Sequence, residues 1–129
     1  MSEPLGMTMH VQAVTLRGRL DDKAWLAFAR EAVECIGMEP AGDPAVWHYP
    51  IGDGKGGLGM TICQPMTESH LVIETWPDHD GAYVNIGSCK PFSLHLMSEA
   101  FDRFELELLE TSARSLLSLG VKATEDAAR

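Results

Sequence analysis

Between Thr61 and Cys89 the chain gathers side chains that can do chemistry. Ser69 and Cys89 are nucleophiles by type. Glu68, His70 and Glu74 can carry protons, and Thr61 adds a hydroxyl. Such groups become reactive near neutral pH only when neighbours tune or orient them. A Ser-His-acid triad does not fit Ser69, His70 and Glu74. Ser69 and His70 are adjacent, so on a strand they point apart, and no GxSxG elbow surrounds the serine. Metal chemistry has no support either. His10, His48, His70, His79 and His95 are scattered, with no HxxxH or HExxH pair. Gly52 to Gly57 is glycine-rich but lacks GxxxxGK[ST], so it reads as a hairpin turn.

The elements that must position these residues follow from hydrophobic periodicity. Met7 to Thr15 alternates, with Met9, Val11 and Ala13 on one side, and reads as a half-buried strand. Lys23 to Ile36 carries Trp25, Phe28, Ala29, Ala32 and Ile36 at helical spacing, capped by Asp21 or Asp22 and ended by Gly37. Ala45 to Ile51, Leu58 to Gln64, the stretch entered through Glu68-Ser69-His70, and Ala82 to Cys89 read as strands. Pro91 to Gly120 reads as mostly helical, on the stripe Met97, Ala100, Phe101, Phe104, Leu108 and Leu109. Val121 to Thr124 reads as a short edge strand.

This order predicts an α+β fold, a two-layer sandwich with an antiparallel sheet and helices on one face, in one domain over 1–129. Alternation then sorts the central strands. Leu58, Met60, Ile62, Leu71, Ile73, Ala82, Val84 and Ile86 belong to the covered face. Thr61, His70, Val72, Glu74, Tyr83, Asn85 and Cys89 belong to the other. A solvated face is the common case for an antiparallel sheet; Val72, Trp76 and a cysteine there argue instead for partial cover, by a second subunit or a ligand.

Composition narrows the partners. A net charge of −9 argues against nucleic acid, whose phosphates require clustered Lys and Arg. An acidic field weakly favours a small cationic ligand. Three cysteines without a CxxC suit free thiols and a reducing cytoplasm. No signal peptide or membrane span is evident from the sequence.

Glu68-Ser69-His70, then Thr75-Trp76-Pro77-Asp78, then Cys89 twenty residues after Ser69, resembles the short prokaryotic S-adenosylmethionine decarboxylases. The resemblance is densest from Gly59 to Cys89 and agrees in element order over nearly the whole chain. It implies a proenzyme whose serine attacks the preceding peptide carbonyl and cuts the chain, here between Glu68 and Ser69. Ser69 would become a pyruvoyl group, an electron sink of the kind pyridoxal phosphate provides. The resemblance also implies Cys89 as the proton donor and Thr61 as a processing hydroxyl. His70, Tyr83 and Asn85 are possible substrate-face residues. The implied protein is a homodimeric, cytoplasmic carboxy-lyase of polyamine (spermidine) biosynthesis, acting on a cationic, amino-acid-like substrate without metal.

One departure stands at the processing base. The family has histidine where this chain has Glu74; Asn85, Gly87-Ser88 and Lys90 also differ. A carboxylate serves as a base at neutral pH only if its pKa is raised. That role predicts a mostly buried Glu74 facing Ser69, with no cationic partner. The two are five residues apart, so they meet only if the backbone kinks at Glu68-Ser69. The alternative is an uncleaved, non-catalytic relative that binds a small molecule or a partner chain.

Overall fold

The structure is a computed structural model and describes residues 8–51 and 57–117. Six strands form one sheet: β1 (Thr8–Arg17), β2 (Ala45–Pro50), β3 (Leu58–Met66), β4 (Ser69–Trp76), β5 (Gly81–Ser88) and β6 (Glu107–Leu117). Their order across the sheet is β2-β3-β4-β5-β1-β6, and every neighbouring pair is antiparallel. Helices α1 (Asp22–Cys35) and α2 (Ser98–Arg103) share one hydrophobic core with the sheet. The expected α+β two-layer architecture is the one observed.

Local chemistry accounts for α1. Asp21 caps it by accepting a hydrogen bond from the Ala24 N–H at 2.8 Å. Gly37, at φ +77°, takes the left-handed position just past its end. Trp25, Phe28, Ala29, Ala32 and Val33 bury one stripe of the helix. Phe28 is the hub of that layer, stacked on Phe101 and edge-on to Trp25 and Phe104. Arg103 of α2 pairs with Glu31 of α1 at the rim.

Three expectations are corrected. The chain from Pro91 onward is not mostly helical: a single-turn 3-10 segment (Leu94–Met97) and the short α2 give way to β6. Phe101 lies in the core as expected, but Leu108 and Leu109 sit on a strand and are exposed. Glu105, at φ +55°, breaks the helix without any glycine to announce it. Leu58 is exposed at 62% rather than covered, because it lies at the end of β3, opposite Pro50. In β1, Val14 and Leu16 are the buried pair, so Val11 and Ala13 face away from the helices. The turn around residues 52–56 and the strand expected at Val121 to Thr124 lie outside the described residues.

Candidate functional site

Strand β4 runs down the middle of the sheet and carries most of the candidate residues. On its covered side Leu71 and Ile73 are fully buried, opposite Ile86 and Val84 of β5. On its open side a row runs across five strands: Thr61, Glu74, Tyr83, Thr15 and Glu110 are successive cross-strand partners. Asn85 flanks this row, beside Val72. A groove of about 560 Å³ opens here, with Glu74, Tyr83, Asn85, Glu110 and Ser112 on its walls. Thr61 is joined to Tyr49 by a hydroxyl–hydroxyl hydrogen bond of 3.0 Å. The candidates Thr61, His70, Glu74, Tyr83 and Asn85 therefore share the open face, as alternation requires.

Ser69 is placed differently. It opens β4 after a two-residue hairpin turn, Thr67-Glu68, with Met66 and Ser69 as the last paired residues of the β3–β4 ladder. Ala41, Thr67, Pro65 and Glu39 brace this turn through backbone hydrogen bonds. Glu68 has φ +63°, a left-handed conformation uncommon for a non-glycine residue. Its carbonyl oxygen accepts a hydrogen bond from the Cys89 N–H at 3.2 Å. The Ser69 hydroxyl donates to the Ser88 hydroxyl at 2.7 Å. The unusual backbone thus falls on the residue that contributes the carbonyl of the Glu68–Ser69 peptide.

Glu74 does not face Ser69. The kink at Glu68 is present, but Ser69 has already joined the sheet, pairing with Ser88 on the covered side. Strict alternation then sends Glu74 to the opposite face, about 16 Å along the strand. Glu74 is exposed, not buried as expected. No Lys, Arg or His of the described residues lies within salt-bridge reach of it. His70 lies over Gly87, where an added Cβ would come within 2.6 Å of the imidazole. Glycine at 87, one of the departures from the family pattern, leaves room for that ring.

At the end of β4, Thr75 serves the fold. The buried Thr75 hydroxyl accepts the Met60 N–H at 2.9 Å where the β3–β4 ladder ends. Trp76 packs edge-on to Tyr83 and near His79. Asp80, left-handed at φ +53°, ends the following 3-10 turn and accepts two hydrogen bonds from Arg19, which raises the guanidinium pKa. Cys35 belongs to the helical layer. Burial, reinforced by Glu31, pushes its thiol pKa up. Among the described residues no group of three His, Cys, Asp or Glu is placed to hold a metal ion. No described helix is long and apolar enough to cross a membrane.

The family model for S-adenosylmethionine decarboxylase matches residues 15–114. The chain belongs to the S-adenosylmethionine decarboxylase family. An S-adenosylmethionine decarboxylase proenzyme from Pyrobaculum aerophilum is 30% identical over 69 residues, a match spanning 54% of this chain and 50% of the relative. This chain therefore aligns with about half the length of that proenzyme. The crystal structure of adenosylmethionine decarboxylase from Aquifex aeolicus shares the fold at TM-score 0.51, covering 94% of this chain and 97% of that one, with 18% identity. Within this S-adenosylmethionine decarboxylase-like chain, Ser88, Tyr49, Thr15 and Glu110 were not singled out from the sequence. Glu110 was hidden by the helical reading of β6. Ser88 had a signal: alternation puts a hydroxyl among Ala82, Val84 and Ile86 on the covered face, where it needs a partner.

Proposed function

We propose that the chain is the proenzyme of a pyruvoyl-dependent decarboxylase, one domain over 1–129 that cuts itself between Glu68 and Ser69. The observation that carries this reading is the Glu68 carbonyl, held by the Cys89 N–H at 3.2 Å on a left-handed residue. Attack by the Ser69 hydroxyl closes a five-membered ring and places negative charge on that carbonyl oxygen. A preorganised N–H donor at the developing charge is the most effective single device for such a step. Backbone strain in the attacked residue lowers the cost of leaving the starting geometry. The Oγ–C bond forms, the C–N bond breaks, and the Ser69 hydroxyl proton ends on the freed nitrogen. Removal of the Ser69 α-proton then expels the Glu68 carboxylate, and water displaces ammonia. The residues at the cut fit formation of the group from Ser69, which supplies an electron sink for decarboxylation. Cys89 adjoins the site through its own backbone and is the candidate proton donor.

The open face supplies the substrate side. Glu74, Tyr83, Asn85 and Glu110 line one groove, and carboxylates there suit the cationic, amino-acid-like substrate that the family name describes, S-adenosylmethionine. Val11, Ala13, Val72 and Trp47 extend an apolar surface across the same face, which suits a homodimer. In this reading Glu74 removes the α-proton of a partner's Ser69, since its own lies about 16 Å away along β4. Cytoplasmic polyamine biosynthesis is the setting the family implies.

A second reading is favoured by the exposure of Glu74 and its separation from Ser69: an uncleaved relative that binds a small molecule or a partner chain. Intact mass distinguishes the two. The proenzyme reading expects fragments 1–68 and 69–129 on incubation, and a single full-length species from Ser69→Ala. Purified wild type that stays full-length establishes the uncleaved relative instead.

A further inference from the structure

We infer that Ser88 is a positioning residue for self-cleavage, holding the Ser69 hydroxyl for its attack on the Glu68 carbonyl. The inference rests on the cleavage reading above. Three polar side chains are buried in the described structure: Gln64, Thr75 and Ser88. The first two satisfy backbone groups. Gln64 Nε2 donates to the Gly42 and Pro65 carbonyls, and Thr75 accepts from Met60. Ser88 accepts one backbone hydrogen bond, from the Lys90 N–H at 2.9 Å, and one more from the Ser69 hydroxyl at 2.7 Å.

Its setting makes that second bond informative. Ser88 is 0% exposed and continues the covered-face series of Ala82, Val84 and Ile86. An apolar residue there would extend the core, whereas a buried hydroxyl carries a desolvation penalty unless it is hydrogen-bonded. The hydroxyl is placed where it meets the one serine among the described residues that follows a left-handed glutamate. Its neighbour Cys89 holds the Glu68 carbonyl oxygen with its backbone N–H. Consecutive residues at the end of β5 thus grip both reacting groups, the nucleophile through a side chain and the electrophile through the backbone.

The chemistry of the grip is simple. The Ser69 hydroxyl also lies 3.4 Å from the Thr67 carbonyl, but the Ser88 oxygen at 2.7 Å is much the closer acceptor; with its hydrogen directed there, the Ser69 oxygen keeps lone pairs free for the carbonyl carbon. Fixing a reacting group in its attack geometry lowers the barrier entropically. Ser88 is neither consumed nor charged. The new Oγ–C bond, the broken C–N bond and the proton passed to the Ser69 nitrogen balance without it.

A merely structural role, tying down Lys90, must be told apart from positioning. The acyl shift alone can be read by incubating full-length protein with neutral hydroxylamine, which intercepts the ester and releases the two fragments. Ser88→Ala is expected to slow fragment release about tenfold or more, and Ser88→Thr to restore it. Ser88→Cys, similar in size but a weaker acceptor, is expected to fall between them. In a Ser69→Cys background the thiol makes only a weak hydrogen bond. There Ser88→Ala is expected to change the rate less than about threefold, because the coupling is lost. Equal slowing in both backgrounds, or wild-type rates for Ser88→Ala, overturns the inference while leaving cleavage intact. If Ser88→Ala fails to fold, the Ser88→Cys comparison decides in the same way. Wild type that releases no fragments even with hydroxylamine overturns both the inference and the reading beneath it.

Discussion

The two faces of the sheet are built to different specifications. On the covered face Met60, Ile62, Leu71, Ile73, Val84 and Ile86 are each at most 1% exposed. On the open face the alternating residues of the same strands are half-buried or exposed: Thr61, Val72, Glu74, Tyr83, Asn85. Both faces share one backbone and one register, so the difference lies entirely in what is laid over each. One face has its helical layer within the chain. The other holds a mixture of aromatic, aliphatic and acidic groups that a purely solvated face would not need. Stability rests on the first; the proposed assembly and substrate binding would fall to the second. Ser69 sits at the boundary, its hydroxyl on the covered side at the very start of β4.

Adjacent residues on β4 give the largest contrast. Leu71→Ala leaves a cavity under α1 and is expected to destabilise the chain by about 2–5 kcal/mol. Val72→Ala, one residue on and facing the other way, is expected to cost less than about 1.5 kcal/mol in the isolated chain. Thermal or urea unfolding of the two variants checks this. Equal losses would mean that the open face is as well packed as the covered one, and the division between them would fail.

That division was legible where the alternation was clean. Strands β3, β4 and β5 repeat apolar residues every second position, and a one-residue slip would have turned every polar group into the core. The sheet faces of Thr61, His70, Glu74, Tyr83 and Asn85 followed from this alone. Strand β6 was not legible because Leu108 and Leu109 continue the helical spacing of Met97, Ala100, Phe101 and Phe104, and Glu105 takes a left-handed turn that no glycine marks. In β1 the apolar series Met9, Val11, Ala13 suggested a buried side, yet Val14 and Leu16 occupy the core and that series turns outward. Periodicity finds two faces; it does not say which one the chain itself covers. The Ser69–Ser88 contact joins strands nineteen residues apart in sequence, and only register makes it visible.

The open face can be tested by removing its aromatic anchors. Trp47 and Tyr83 are 56% and 48% exposed on the same cross-strand row. Buried aromatic anchors contribute about 2 kcal/mol or more each to an interface. Sedimentation equilibrium is expected to show a dimer for the wild type and a shift toward monomer for Trp47→Ser combined with Tyr83→Ser. Unfolding of the monomer should move by no more than about 1 kcal/mol. A variant that remains dimeric places the contact elsewhere.

The smallest expected change in stability, and the most discriminating change in chemistry, is at Glu74. It is exposed and has no cationic partner among the described residues, so Glu74→Gln is expected to alter stability by no more than about 0.5 kcal/mol. Its effect on cleavage is a separate matter. Side-chain alternation and about 16 Å of strand keep it from its own Ser69. The proposed dimer would bring a second copy, with its own Glu74, against the open face. If Glu74 acts across that interface, Ser69→Ala and Glu74→Gln should each remain uncut alone. Refolded together, they should cut the Glu74→Gln chain, which keeps Ser69 and borrows the other copy's carboxylate. Distinct masses of the two variants reveal which chain is cleaved. Glu74→His should accelerate cleavage, because imidazole is the better base near neutrality. Cleavage of Glu74→Gln alone at the wild-type rate would remove Glu74 from processing. Cleavage restored by neither mixing nor histidine would confine the role of Glu74 to one chain, and the two faces would then have to communicate through the sheet itself.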